Sequence, residues 1–293
     1  MQVLKQGAMR PFDVSQGPLC RASIGELGPA DHILLITMHH LVSDGWSFGL
    51  FFRELETLYT AYVQQQPSPL ESLAVQYGDY ACWQQQSLQD GAIGRQRAYW
   101  DKHLQGDIAA VELPVCPAPP VPGGDLGATY PLAIDAELTA GLKTLSQETG
   151  GTLFMTLLAA LNVLLHQYSR QEDILICSPV AGRQHVETET MIGFFNNLLV
   201  FRGDLTGNPT FSQFLSRLRQ VVLDAYQHQD IPFQQVAELP QVKRISLYRA
   251  CLIFKMLPRG PWCCRNSMRR TSRSIRHRPI LSWRCSWMKT ATS

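Results

Sequence analysis

Hydrophobic positions along the chain follow strand and helix periods in turn. A continuous apolar run, Ile33–Thr37, predicts a buried strand. Behind it, apolar residues recur at helical spacing and predict a helix over residues 46–64, with a stripe formed by Phe48, Phe51, Leu55, Leu58 and Tyr62. Residues 38–49, MHHLVSDGWSFG, therefore lie at a strand-to-helix junction, a place where folds commonly present reactive side chains.

The segments on either side of this junction extend the pattern. A strand ends near Leu27, and Gly28-Pro29 turns the chain back toward Ile33–Thr37, which predicts an antiparallel pair. Residues 75–86 and 95–104 predict two helices, each burying aromatic side chains. Further apolar patterns predict a strand at 129–134, a helix carrying Leu138, Leu142 and Leu145, a buried helix at 152–169, a strand at 173–180 and a helix at 209–226.

The two adjacent histidines are the first candidates for chemistry. In a strand, His39 and His40 would point to opposite faces, so that one faces a cleft and the other packs or caps. Asp44 can anchor the following turn, and Gly45 lets the backbone bend where a side chain would clash. A purely structural histidine at a strand end is the alternative reading of this stretch.

Four sequence segments, in order, resemble the condensation domains of nonribosomal peptide synthetases, relatives of chloramphenicol acetyltransferase. The first is HHxxxDG, followed by Trp46 and Ser47. The others match the family patterns YxDYAxWQ (Tyr77, Asp79, Tyr80, Ala81, Trp83), IGxFVNTLxxR (Ile192, Gly193, Phe195, Asn197, Leu199, Arg202) and HQDxPFE (His228, Gln229, Asp230, Pro232, Phe233). Their common order makes the resemblance specific.

The resemblance implies an α/β (α+β) fold of two chloramphenicol acetyltransferase-like lobes, with mixed sheets flanked by helices. The Pro- and Gly-rich stretch 114–127 predicts a linker between a first lobe, 1–113, and a second, 128–245. The family's Arg-rich N-terminal motif has no counterpart, and residues from 246 onward do not follow the pattern. Both lobes are therefore expected to be incomplete.

What the resemblance implies for function is peptide-bond formation between two carrier-bound thioesters. The residues assigned to catalysis are His40, Asp44, Gly45 and His39. His40 would take the proton of the attacking amine, and the Gly45 N–H would support the oxyanion. Asp44 would hold the loop through an arginine, for which Arg183 is a candidate.

Further residues are expected to line or support the site. They are Trp46, Ser47, Tyr77, Asp79, Trp83, Arg183, Gly193, Phe195, Asn197, His228 and Asp230. His228 and Asp230 are expected to have a structural or capping role rather than a catalytic one.

The expected partners are donor and acceptor peptidyl carrier proteins, together with adjacent adenylation and carrier modules. No cofactor is expected to bind the chain directly, because the substrates ride on the 4'-phosphopantetheine arms of the carriers. No metal is expected, since Cys20, Cys82, Cys116 and Cys177 are scattered. The N-terminus lacks the apolar core of a signal peptide, which favours the cytoplasm without membrane or nucleic-acid binding.

The C-terminal residues differ in composition from the rest of the chain. Residues 241–293 hold 13 of the 26 Lys and Arg and no Asp or Glu, so residues 1–240 have 13 basic and 24 acidic side chains. A basic tail for nucleic acid or membrane is one interpretation. The favoured interpretation is a frameshift near residues 244–251. The neighbouring reading frame around Trp262 and Trp287 must encode apolar and acidic residues. The tail 246–293 is then expected to be out of frame and disordered.

Three other functions share these motifs. A stand-alone acyltransferase using CoA would also carry HHxxxDG and would transfer without a carrier. An epimerisation domain would exchange an α-proton without condensation. An inactive condensation-domain remnant would at most bind a carrier protein.

Overall fold

The computed structural model describes residue 7 and residues 10–29, 31–89, 91–114 and 129–254. These residues form two compact units. The first contains the described residues up to Tyr80 together with Arg183–Phe195, and the second contains Ala81–Gly182 and the described part of Asn196–Met256. The predicted division into lobes at a linker stays a prediction, because nearly all of 114–127 lies outside the described residues.

The first unit begins with an antiparallel hairpin. Strand β1, Cys20–Gly28, pairs with β2, Asp31–Met38, in a register that sets Ile24 opposite Leu34. This pairing confirms the prediction from the Gly28-Pro29 turn. A 3₁₀ turn, His40–Val42, then leads into helix α1, Gly45–Val63. A second 3₁₀ turn, Val186–Thr190, belongs to the same unit.

Helix α2, Tyr77–Gln89, starts in the first unit and continues into the second. The other elements of the second unit are α3 (Ala92–His103), α4 (Ala136–Glu148), α5 (Leu153–Ser169), β3 (Asp173–Val180), β4 (Asn197–Asp204), α6 (Phe211–Gln227) and α7 (Phe233–Ala237). Most of these elements lie within a few residues of the predicted ones. None of the described helices is by itself long and apolar enough to cross a membrane, although the bent pair α4 and α5 meets those criteria together.

The core of the second unit lies between the β3–β4 pair and its helices. The two strands are antiparallel, with Ile176 opposite Phe201, and both side chains are fully buried. Helix α6 packs on β4 with a face that includes Phe214 and Leu218. Its first turn is held by a capping box, in which the Thr210 hydroxyl accepts the Gln213 N–H and the Gln213 side chain accepts the Thr210 N–H.

The strand predicted at residues 129–134 is not formed. Tyr130 and Leu132 are 90% and 82% exposed, and the residues have no regular secondary structure. Alternating apolar residues form a strand only when a neighbouring strand accepts and donates their backbone hydrogen bonds. Among the described residues, each sheet has two strands, and neither includes this segment.

The predicted tail begins inside the described structure. Leu247 is buried, and the Cys177 N–H on β3 donates to Ala250 O at 2.9 Å, while the Leu252 N–H donates to Cys177 O at 2.9 Å. These residues therefore pack beside β3, whereas disorder was expected from residue 246. Residues 255–293, on which most of the tail prediction falls, lie outside the described residues.

Candidate active site

The two histidines follow β2 in a tight turn instead of lying in the strand, which ends at Met38. His39 caps the 3₁₀ turn, because its Nδ1 accepts the Leu41 N–H at 3.1 Å. Its ring meets the ring of Phe12 edge-on, with 5.8 Å between the centroids. The expectation that strand alternation orients the two rings is therefore wrong: a capping contact, not the pleat, sets the orientation of His39.

His40 is held through the carbonyl of Ser43, whose oxygen lies 2.6 Å from Nδ1. A carbonyl oxygen only accepts, so Nδ1 carries the proton and donates it in this contact. In the neutral ring, Nε2 then carries the lone pair. The imidazole also meets the ring of Phe194 edge-to-face, with the centroids 5.1 Å apart and the planes at 89°. This geometry suits His40 to act as a base through Nε2.

The carboxylate of Asp44 is fully buried and surrounded by donors. Oδ1 accepts the Ser47 N–H at 2.7 Å, which caps helix α1, and Oδ2 accepts the Phe195 N–H at 3.2 Å. Both oxygens lie 3.2 Å from Nη2 of Arg183, forming the ion pair that was expected from the sequence. With its oxygens engaged by the protein, Asp44 is placed to position the loop and not to touch a substrate.

Arg183 ties several parts of the first unit together. Its side chain is 1% exposed, and Nη1 donates to the carbonyls of Thr188 and Met191, the latter at 2.8 Å. The guanidinium lies 4.0 Å above the centroid of the Phe195 ring. Burial lowers the pKa of Arg183 from its ordinary value, and the Asp44 carboxylate opposes that shift. The Asp44 carboxylate therefore helps to keep the buried guanidinium of Arg183 protonated.

The hydroxyl of Ser47 joins helix α1 to the segment 193–195. Its oxygen accepts the Gly193 N–H at 3.0 Å and an N–H of Arg183 at 3.1 Å. Its single proton is within 2.8 Å reach of two acceptors, Asp44 Oδ1 and Gly193 O. The fully buried Ser47 therefore accepts the Gly193 N–H, while its one proton is shared between the Asp44 carboxylate and the Gly193 carbonyl.

Tyr77, the first residue of α2, fastens the same segment from another side. Its hydroxyl donates to Phe194 O at 2.8 Å, and its ring contacts the ring of Phe195 with 5.2 Å between centroids. Burial, and then the Asp44 charge, raise the pKa of Tyr77, so the phenol keeps the proton that it donates. A Cβ at Gly193 would lie 2.2 Å from the Tyr77 ring, which explains why this position holds glycine.

Three further predicted residues lie at the ends of helices in the first unit. Gly45 opens helix α1, and an added Cβ there would meet nothing within 4 Å, so a ligand has room to approach the backbone. Trp46 is 46% exposed, and its indole N–H donates to Glu189 O at 2.9 Å. Asp79 accepts the Gln76 N–H at 2.9 Å and so stabilises the start of α2.

Asn197 belongs to the second unit, where its amide holds the segment between α6 and α7. Nδ2 donates to Gln229 O and to Ile231 O, both at 2.7 Å. Oδ1 accepts the Phe233 N–H at 3.0 Å, at the start of α7. All three contacts are structural.

The remaining predicted residues of the second unit also make structural contacts. His228 ends α6, where Nδ1 lies 2.7 Å from Asp224 O and the ring stacks on Tyr99 at 4.0 Å between centroids. Asp230 accepts from Nε2 of Gln96 at 2.7 Å. The capping or structural roles expected for the two residues stay a prediction. Trp83 lies in α2 with 46% of its surface exposed.

The described part of the chain leaves two other kinds of site to consider, a metal site and a cavity. It contains no group of three or more His, Cys, Asp or Glu side chains arranged to hold a metal ion. An open cavity of about 470 Å³ is present in the second unit, lined by residues such as His166, Arg170 and Asp173. None of the predicted site residues lines it, so the candidate site stays at the histidine turn.

Comparison with known proteins identifies the family. A model described as the condensation domain matches residues 1–257. The chain belongs to the condensation domain family. Malpibaldin synthetase of Mortierella alpina is 46% identical over 237 residues, which cover 81% of this chain and 4% of that protein. The condensation domain described here thus spans a small part of that relative's length.

Solved structures confirm the mixed α/β fold of this condensation domain. The X-domain from teicoplanin biosynthesis is 30% identical, with a TM-score of 0.76, covering 84% of this chain and 57% of that one. Holo-AB3403, a four-domain nonribosomal peptide synthetase, is 26% identical with a TM-score of 0.71, covering 88% of this chain and 20% of that one.

Sequence reasoning missed one contact at the site. Phe194, whose ring meets His40, occupies the variable position of the IGxFVNTL pattern, so the motif does not mark it. The roles of Ser47 and Tyr77 in holding Gly193 were also unforeseen, although both were expected near the site. A glycine directly before two phenylalanines was the available signal, since Gly193 admits a close approach that other residues would prevent.

Proposed function

We propose that this condensation domain forms peptide bonds between a donor acyl or peptidyl thioester and the free amine of an acceptor aminoacyl thioester. Membership of the family supports this reaction class. The observation that carries the proposal is the contact between His40 Nδ1 and Ser43 O at 2.6 Å, which leaves the lone pair on Nε2.

The reaction needs little activation beyond placement of the amine. The amine nitrogen attacks the thioester carbonyl, the C–N bond forms, and the C–S bond breaks to release a thiol. His40 Nε2 takes the proton that the nitrogen loses and returns it to the leaving sulfur, so that the base is regenerated. Because a thioester is already activated, holding the two reactants together supplies a large part of the rate.

The surrounding residues have separate roles in this proposal. Gly45, at the first position of α1, offers a backbone N–H for the oxyanion in a region open to ligand. Asp44, Arg183 and Ser47 are positioning residues, because their polar groups bond to one another and to the backbone. His39 acts as a cap.

The proposed partners follow from the chemistry of the substrates. Donor and acceptor carrier proteins would present the thioesters on 4'-phosphopantetheine arms, which are substrates and not resident cofactors. Adjacent adenylation and carrier modules would load them in the cytoplasm. The likeness to a four-domain nonribosomal peptide synthetase supports this arrangement.

The test combines the purified chain with two carrier proteins, one loaded with an acyl thioester and one with an aminoacyl thioester. Mass spectrometry of the intact carriers measures the amide formed on the acceptor arm. His40→Ala is expected to lower the rate at least about 100-fold, the lower end of general acid–base contributions. His32→Ala, on the exposed part of β2, is the matched control and should react like the wild type.

Several results would overturn the proposal. Transfer from acyl-CoA without any carrier would favour a stand-alone acyltransferase, and α-proton exchange without amide formation would favour an epimerase. Carrier binding without condensation would favour a binding remnant. An unchanged rate in folded His40→Ala would remove the role assigned to this residue.

A further inference from the structure

We propose that Phe194 is a positioning residue, whose ring holds the His40 imidazole in the orientation that donates from Nδ1 to Ser43. The effect of Phe194 on the reaction rate rests on the function proposed above. Its effect on the orientation of the His40 ring does not. Four features support this role: the ring contact, the backbone that carries Phe194, the partial burial of its side chain, and the freedom that His40 would otherwise have.

The ring contact between Phe194 and His40 is an edge-to-face pair. The centroids are 5.1 Å apart and the planes meet at 89°, within the range that aromatic pairs prefer. The two residues lie far apart in sequence, but both belong to the first unit. Phe194 therefore forms part of the immediate surroundings of the proposed base.

The backbone of Phe194 is fixed at its own carbonyl and at both neighbours. The Ser47 hydroxyl oxygen accepts the Gly193 N–H at 3.0 Å, and the Tyr77 hydroxyl donates to Phe194 O at 2.8 Å. The N–H of Phe195 donates to Asp44 at 3.2 Å. With the chain fixed on both sides, the Phe194 ring has a defined place from which to act on His40.

Burial also separates Phe194 from its neighbours. Gly193 and Phe195 are buried, whereas Phe194 is only half-buried. The Phe195 ring packs against Tyr77, Tyr80 and Arg183. The Phe194 ring is less enclosed. This half-exposed aromatic side chain faces the histidine.

The freedom that Phe194 removes is rotation of the imidazole about its second side-chain torsion. That torsion is broad and roughly two-fold for histidine, so a half-turn would exchange the sites of the ring nitrogens with nearby carbons. The Ser43 carbonyl favours one orientation, because it accepts the proton of Nδ1 at 2.6 Å. The edge-to-face contact with the Phe194 ring opposes the half-turn, both by steric contact and by the loss of the aromatic interaction.

The experiment compares Phe194→Leu with a matched control, Phe12→Leu. Phe12 makes the same kind of edge-on contact with the other histidine, His39, at 5.8 Å. The first measurement is the tautomer of neutral His40, from long-range proton–nitrogen NMR correlations of histidine-labelled chain, assigned with His40→Gln. The second measurement is kcat and KM for amide formation on the carrier proteins.

In Phe194→Leu we expect His40 to show a mixture of both tautomers and kcat to fall roughly 10- to 100-fold with little change in KM, as for a displaced catalytic group. Phe12→Leu should leave the His40 tautomer and kcat unchanged. Phe194→Met, with an unbranched side chain, replaces the leucine variant if circular dichroism shows that the latter does not fold. A single Nδ1–H tautomer retained in the folded Phe194 variant overturns the proposal.

The two measurements separate this inference from the proposed function. If the wild-type chain forms no amide, the proposed function fails, and the tautomer measurement still decides the role of Phe194. If the wild type condenses and the Phe194 variant matches it in kcat, the positioning role is wrong while the proposed function stands.

Discussion

Replacing Gly193 by alanine should destabilise the protein, because the new methyl group has no space. Its Cβ would lie 2.2 Å and 2.6 Å from two atoms of the Tyr77 ring and 3.0 Å from the Phe195 ring. The Tyr77 ring must move, which strains its 2.8 Å hydrogen bond to Phe194 O. Overpacking costs about 1–3 kcal/mol and the hydrogen bond about 1 kcal/mol, so we expect a loss of about 2–4 kcal/mol in the free energy of unfolding.

The assay is urea unfolding followed by circular dichroism, with Gly49→Ala as the control. Gly49 lies within helix α1, where an added Cβ meets nothing within 4 Å. Alanine is favoured over glycine in a helix, so the control should be stabilised by about 0.5–1 kcal/mol. The two variants add the same methyl group and are expected to change stability in opposite directions.

A second variant isolates the cause. Tyr77→Ala removes the ring that the methyl group would strike, so adding Gly193→Ala to it should cost about 1–3 kcal/mol less than adding it to the wild type. A Gly193→Ala variant within about 0.5 kcal/mol of the wild type would refute the reasoning, since it would mean that the ring moves at no cost.

Two further predictions concern buried ionisable side chains. Burial, followed by the charge of Arg202, lowers the pKa of His103 from 6.5 to about 4. The unfolded chain therefore binds a proton that the folded one does not, and stability should fall by up to about 3 kcal/mol as the pH drops from about 6.5 to about 4. Asp44→Asn should cost about 3–5 kcal/mol in urea unfolding, because it leaves the buried guanidinium of Arg183 without its counter-charge.

Each of these predictions has its own control. His103→Gln should show a shallower fall in stability over the same pH range, and an identical pH profile would mean that His103 does not cause it. For the ion pair, Asp44→Asn combined with Arg183→Met should cost less than the sum of the two single changes. Strict additivity would show that the two side chains are not coupled.

Much of the fold was predictable because long apolar patterns decide it. The strand Asp173–Val180 and the helix Leu153–Ser169 carry enough buried residues for periodicity to fix their type and nearly their ends. The strand at 129–134 was predicted wrongly, because alternation reports a pattern along one segment and carries no information about whether another segment pairs with it.

The candidate site was predictable in its residues but not in their contacts. The pairing of Asp44 with Arg183 was expected from a motif and a charge, and the ion pair is present. The sequence indicated that one of the two histidines packs or caps, but not that His39 is the cap, since this depends on β2 ending one residue before it. Phe194 escaped notice because its importance comes from the position of its ring beside His40, which no local pattern in the sequence records.

The pairing of Asp44 with Arg183 also has a consequence for how the chain acquires its shape during synthesis. The two residues are separated by 139 positions, and Ser47 likewise bonds Gly193, which follows it by 146 positions. At about 5–20 residues per second, a ribosome needs roughly 7–28 s to pass from one member of the ion pair to the other. Until then the aspartate side chain lacks its counter-ion, so the histidine turn cannot complete its contacts before the chain has been made as far as Arg183 and Gly193.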